Sequence, residues 1–178
     1  CLVAASGGWS VHQLAFRLIN GEGPVKYLPA TATGGLAVFD YDGDGLLDLF
    51  FTNGGELPSG RKTRPEHANA LLRNLGGMRF ENVTAKAGVA GLTYSFGAAV
   101  ADYNNDGRMD LVVTALNGVT LYRNNGDGTF TDATKSSKLD NRGRWSVAAA
   151  WLDLESDGDA DLFIVNYVEW SAANERQC

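Results

Sequence analysis

Asp40-Tyr-Asp42-Gly-Asp44-Gly45-Leu46-Leu-Asp48 is the stretch that decides the fold, because its design returns twice. The second copy is Asp102-Tyr-Asn104-Asn-Asp106-Gly107-Arg108-Met-Asp110 and the third is Asp153-Leu-Glu155-Ser-Asp157-Gly158-Asp159-Ala-Asp161. Oxygen-bearing side chains stand at positions 1, 3, 5 and 9, and glycine always at position 6. Ca²⁺ takes roughly six to eight hard oxygen donors in a flexible shell. Alternating acids present donors to one concave turn, and glycine permits the sharp bend because it lacks a Cβ. The carbonyl at position 7 (Leu46, Arg108, Asp159) is the expected further donor. Acidic turns are common on protein surfaces, since Asp and Gly are turn residues. Three copies in one nine-residue register point to calcium instead, with up to three ions.

The loops are not EF-hands, which need a bidentate Glu at position 12 and flanking helices. Position 12 is Phe51, Val113 and Ile164. Each loop runs into an apolar strand: Leu49-Phe-Phe51, Leu111-Val-Val113 and Leu162-Phe-Ile-Val165. Each follows another: Gly35-Leu-Ala-Val-Phe39, Gly97-Ala-Ala-Val-Ala101 and Val147-Ala-Ala-Ala-Trp151. The loops therefore connect strand to strand.

A second repeat lies downstream. Ala70-Leu-Leu-Arg73-Asn74 with Arg79-Phe80-Glu-Asn-Val-Thr84 returns 50 residues later as Thr120-Leu-Tyr-Arg123-Asn124 with Thr129-Phe130-Thr-Asp-Ala-Thr134. Each reads as strand, glycine-rich turn, strand, with Phe80 and Phe130 expected in the core. One unit is thus four strands, the blade of a β-propeller. The fold class is all-β, with blade one at 34–84, blade two at 96–134 and the first half of blade three at 146–178. Residues 1–33 form an N-terminal segment, with a strand expected over Leu14–Ile19. Two and a half blades do not close a ring, since propellers have about four to eight. Either the chain is a piece of a longer propeller, or other copies complete it in a ring or filament.

Composition fits this reading. Among 178 residues there are 22 glycines and a net charge of −6. At positions 1, 3, 5 and 9 the loops hold eleven carboxylates, and three bound Ca²⁺ would add about +6. The acidity excludes nucleic acid as a partner, since phosphates need clustered Lys and Arg. Arg61, Lys62 and Arg64 are read as a solvated basic loop. No apolar run is long enough for a transmembrane helix, and no intact signal peptide is visible. Cys1 admits two readings, a lipidated mature N-terminus or an arbitrary start, and Cys178 suits a disulfide in an exported protein. His12 and His67 belong to no triad with Ser and Asp and are read as ordinary.

The Phe96-Gly97-Ala98-Ala99 stretch before Asp102 resembles the FG-GAP repeat of integrin α-subunit propellers. The longer pattern, with Leu121-Tyr-Arg-Asn-Asn-Gly-Asp-Gly-Thr-Phe-Thr-Asp132, is similar to bacterial FG-GAP/VCBS proteins and to the cartilage-acidic-protein family, whose members often carry a C-terminal ASPIC/UnbV domain. The resemblance covers about residues 12–170. It implies a seven-bladed, calcium-stabilised propeller, exported or at the cell surface. It carries calcium ligands onto Asp40, Asp42, Asp44 and Asp48; onto Asp102, Asn104, Asp106 and Asp110; and onto Asp153, Glu155, Asp157 and Asp161. The chain departs from the pattern at Leu75-Gly-Gly-Met78, where the family has Asn-Gly-Asp-Gly, and at Glu155. The expected role is a non-catalytic binding or adhesion module for a protein or glycan. The alternatives are a self-associating structural subunit and, third, an enzyme using a carboxylate pair such as Asp127 and Asp132.

Overall fold

The computed structural model describes residues 2–5, 8–11, 16–21, 23–32, 34–139 and 141–175, the first two stretches as backbone only. Cys1, His12, Leu14 and Cys178 lie outside the described residues. Strands β1 (Leu2–Ala5) and β2 (Gly8–Val11) pair as an antiparallel hairpin. Two four-stranded antiparallel sheets follow. The first runs β3 (Leu36–Phe39), β4 (Asp48–Phe51), β5 (Ala70–Asn74) and β6 (Phe80–Asn82). The second runs β7 (Ser95–Ala101), β8 (Asp110–Ala115), β9 (Gly118–Asn124) and β10 (Phe130–Asp132). A two-stranded sheet, β11 (Ser146–Leu152) and β12 (Asp161–Asn166), completes the set. Each sheet is in sequence order and every pairing is antiparallel. The only α-helix among the described residues is one turn, α1 (Thr84–Ala87). The fold is all-β: two blades and half of a third, forming an open arc.

The sheets stack face to face through side chains that alternate along the strands. Phe39, Phe50 and Leu71 of blade one meet Leu111, Val113, Tyr122 and Phe130 of blade two. From the other face of blade two, Val112 and Leu121 meet Ala149, Trp151 and Leu162 of the half blade. With a neighbour on each side, all six residues of β8 are buried. The two ends of the arc keep one face open. On blade one Leu36 and Val38 are exposed, and on the half blade Phe163 and Val165 are exposed.

The first strands of successive blades approach closely at glycine. A Cβ on Gly35 would lie 2.3 Å from the Phe96 carbonyl oxygen, and one on Gly97 would lie 2.8 Å from that of Val147. Both contacts are against backbone, so only glycine admits this spacing. The Thr52 hydroxyl reinforces the junction, accepting from the Gly35 N–H at 2.6 Å and donating to the Phe96 carbonyl at 2.8 Å.

Phe16–Ile19, the described part of the expected N-terminal strand, joins no ladder. It docks on blade one instead. The Asn53 Oδ1 accepts the Ile19 N–H at 2.7 Å, the Ile19 carbonyl accepts the Gly54 N–H, and Phe16 stacks on Phe51 at 4.8 Å. Alternation over four residues cannot separate a strand from an extended segment tied down by side chains.

Phe130 is buried in the inter-blade core, stacked on Tyr41 at 6.3 Å, while Phe80 is half-buried. The solvated reading of the basic loop holds for Arg61 and Arg64, which are exposed, and fails for Lys62. Its ammonium turns inward and donates to the Asn53 carbonyl, the His67 carbonyl and Asn69 Oδ1, at 2.7–2.8 Å. Burial lowers it from its ordinary value to about 7. His67 is buried, and its Nδ1 accepts the Thr63 N–H, a structural role.

Candidate metal centre

The β3–β4, β7–β8 and β11–β12 connections fold to one hydrogen-bond pattern. At position 1 a single carboxylate accepts the N–H groups of positions 5 and 6. Asp40 takes Asp44 and Gly45 at 3.2 and 2.8 Å. Asp102 takes Asp106 and Gly107 at 2.9 and 2.6 Å, and Asp153 takes Asp157 and Gly158 at 3.0 and 2.9 Å. At position 5 the carboxylate accepts the N–H of position 7: Leu46 to Asp44 at 2.9 Å, Arg108 to Asp106 at 3.1 Å, and Asp159 to Asp157 at 3.0 Å. At position 9 it accepts the N–H of position 2: Tyr41 to Asp48, Tyr103 to Asp110, and Leu154 to Asp161.

These bonds wrap the loop around its acids. The wrap needs left-handed backbone at two places. Position 6 supplies it at Gly45, Gly107 and Gly158 (φ 84°, 83° and 93°). Position 4 needs it too, at Gly43, Asn105 and Ser156. The sequence shows the first requirement through an invariant glycine and hides the second, because Asn tolerates this region and Ser occupies it at some cost.

In loop one the donors converge. One oxygen from each of Asp40, Asp42 and Asp48 lies within 4.8 Å of the others. Asp42 Oδ1 is buried with no hydrogen-bond partner among the described residues. A desolvated carboxylate oxygen without a donor is costly, and a hard cation is the group that would satisfy it. The donor set, all oxygen and mostly carboxylate, fits Ca²⁺ and excludes the N/S sets of zinc sites. Loop two offers the Asn104 amide oxygen in place of the second carboxylate, and that oxygen accepts the Asp106 N–H at 3.1 Å. Loop three is the most open, with Asp153, Glu155, Asp157 and Asp159 exposed. A bond from Asn105 Nδ2 to Asp159 Oδ1, at 2.7 Å, ties loop two to loop three.

Position 9 has a second function that sequence reasoning missed. Asp48 and Asp110 are fully buried, and their other oxygens accept the N–H groups of Asn74 and Asn124 at the ends of β5 and β9, both at 2.7 Å. The ninth residue thus bolts the loop to the third strand of its blade. Burial raises both carboxyls above their ordinary value, against the N–H bonds that pull the other way. The partner asparagines brace the same corner. Asn74 Nδ2 donates to the Leu47 carbonyl, and Asn124 Nδ2 to the carbonyls of Met109 and, across the blade junction, Tyr41 at 2.8 Å. The repeated Arg-Asn pair at 73–74 and 123–124 was the signal for this bolt.

The carboxylate pair considered for catalysis does not converge. Asp127 Oδ1 accepts from Thr129 in the β9–β10 turn, while Asp132 Oδ1 accepts from Thr134 at the far end of β10.

A model of the FG-GAP-like repeat matches residues 40–113 and again 102–164, with all three loops inside the matched span. Cartilage acidic protein 1 of Homo sapiens is 29% identical over 136 residues, covering 74% of this chain and 20% of the relative. The Xenopus tropicalis protein of that name is 29% identical and the Mus musculus one 27%, over the same length. The chain spans about a fifth of the length of these relatives.

Proposed function

From the premise that this chain belongs to the FG-GAP-like repeat family, we propose that it is a calcium-stabilised, non-catalytic propeller module. Its setting is extracellular or at the cell surface, and it presents a binding or adhesion surface to a protein or glycan. One observation carries the reading. Three loops far apart in sequence fold to one hydrogen-bond pattern around oxygen donors, and in loop one a buried carboxylate oxygen still lacks a partner.

The first ion would be held by Asp40, Asp42, Asp44 and Asp48 with the Leu46 carbonyl. The second set is Asp102, Asn104, Asp106, Asp110 and the Arg108 carbonyl. The third is Asp153, Glu155, Asp157, Asp161 and the Asp159 carbonyl. Bound calcium neutralises acids that the fold packs together, so binding energy becomes folding energy. Exposed, acid-rich loops suit the high free calcium outside cells. Among the described residues no helix is long and apolar enough to cross a membrane.

Thermal unfolding in calcium and in EDTA tests the reading. At calcium about a hundredfold above its Kd, each independent site adds about 2.7 kcal/mol, so the melting temperature should fall by many degrees on chelation. Equal melting in both buffers refutes it.

The open ends of the arc favour a second reading. Leu36 and Val38 at one end, and Phe163 and Val165 at the other, are apolar faces of the kind that blades cover in one another. Further blades of the same polypeptide or a second copy would cover them. Light scattering separates these outcomes. A defined oligomer of this chain supports self-assembly, and a stable monomer removes it.

A further inference from the structure

The three loops carry different protein cations. In loop one, Arg73 reaches back from β5 and lays its guanidinium across two acids. Its Nε lies 2.7 Å from Asp42 Oδ2 and its Nη2 lies 3.1 Å from Asp44 Oδ2. Both acids are in the proposed ligand set, at positions 3 and 5. In loop two the corresponding residue, Arg123, is exposed and makes no ion pair among the described residues. Loop two has the neutral Asn104 at position 3. Arg108, inside loop two, pairs with Asp106 alone. Loop three carries no ion pair among the described residues.

Resting on the calcium reading above, we propose that Arg73 is a built-in competitor for the loop-one ion, which weakens calcium binding at this site. The guanidinium neutralises Asp42 and Asp44 when calcium is scarce. Calcium can use the free Asp42 Oδ1, but it meets the guanidinium's charge beside it and must compete with it for Asp44 Oδ2. A site available only in part of the population shows a proportionally weaker apparent affinity. Arg73 is about a third exposed, at 37% of its side chain, so it can swing into water once displaced. Its planar fork matches two carboxylates in a way that a point charge does not. Loop one would therefore fill at higher calcium than its four carboxylates alone would require.

The glycines at position 6 give a separate reading for each loop. In an NMR calcium titration of the whole chain, the amides of Gly45, Gly107 and Gly158 report loops one, two and three. Arg73→Gln should shift the Gly45 midpoint to about three- to tenfold lower calcium, the range expected for two partly exposed ion pairs. The Gly107 midpoint should stay put. Arg73→Lys, which keeps the charge without the fork, should fall between the two. Arg123→Gln should move none of the three. An unchanged or weakened Gly45 response in Arg73→Gln overturns the competitor role while leaving calcium binding intact. Silence of all three glycines overturns the calcium reading itself.

Discussion

Asp110 and Asp161 hold the same position in the same loop design, and their surroundings differ. Asp110 is fully buried, and its two oxygens accept the N–H groups of Tyr103 and Asn124 at 3.3 and 2.7 Å. Among the described residues Asp161 accepts only the Leu154 N–H, at 3.0 Å, and it is half-buried. The difference is a strand. β8 is flanked by β9, which ends in Asn124, whereas β12 pairs with β11 alone. Nine residues are therefore enough to build the turn. The buried bolt needs the third strand of the blade.

Mutation of the bolt should separate the two copies most. Asp110→Ala leaves the buried Asn124 N–H and the part-buried Tyr103 N–H without acceptors, at about 1–3 kcal/mol each. Urea unfolding in EDTA should register a loss of at least about 2 kcal/mol. Asp161→Ala removes one bond at a half-buried site and should cost about 1 kcal/mol or less. Equal losses would mean that the third strand does not create the difference.

The asparagines give a smaller contrast, between blades one and two. Asn124 is buried, and its amide donates to Met109 in its own blade and Tyr41 in the next. Asn74 is half-buried, and among the described residues its amide donates to Leu47 only. Asn124→Ala should cost about 2 kcal/mol and Asn74→Ala about 1 kcal/mol, because only the first strands a carbonyl at the blade junction. If the double variant Thr52→Val/Asn124→Ala loses clearly more or less than the sum of its parts, the two junction bonds act together.

The blade plan was legible because its signals are local. Acid-rich turns with glycine at position 6, and apolar runs on either side, gave strands β3, β4, β7, β8, β11 and β12. The Gly-rich turns gave the β5–β6 and β9–β10 hairpins. What stayed hidden depends on contacts between distant residues. Lys62 looks like any loop lysine until Asn53, His67 and Asn69 gather around it. Arg73 and Arg123 look equivalent until one pairs with Asp42 and the other is left exposed. The β1–β2 hairpin was not read, because four-residue runs joined by Ser6-Gly7 carry too little pattern. Gly35 and Gly97 read as strand starts, and their reason, a neighbouring blade's backbone at under 3 Å, exists only in the packed arc.

The finest contrast is between the same buried acids with and without metal, and its sign is diagnostic. Burial raises Asp48 and Asp110 above the ordinary carboxyl value. The unfolded chain loses these protons at that ordinary value, so over the interval above it the folded chain binds more protons. Stability contributed by these groups therefore rises as pH falls through the interval, and is complete once both states are protonated. Calcium reverses the slope. It requires ionised ligands, so acid expels the ion and removes its stabilisation. Melting between about pH 7 and pH 4, in EDTA and in calcium, reads both. Other carboxylates titrate in the same range, so the useful quantity is wild type minus Asp110→Asn, which has no proton to gain. In EDTA that difference should move in favour of the wild type toward acid. In calcium it should move against it. A difference that is flat in EDTA would mean that the two N–H bonds to Asp110 offset its burial, and the ninth residue would then be a bolt in the metal-free protein at no electrostatic cost.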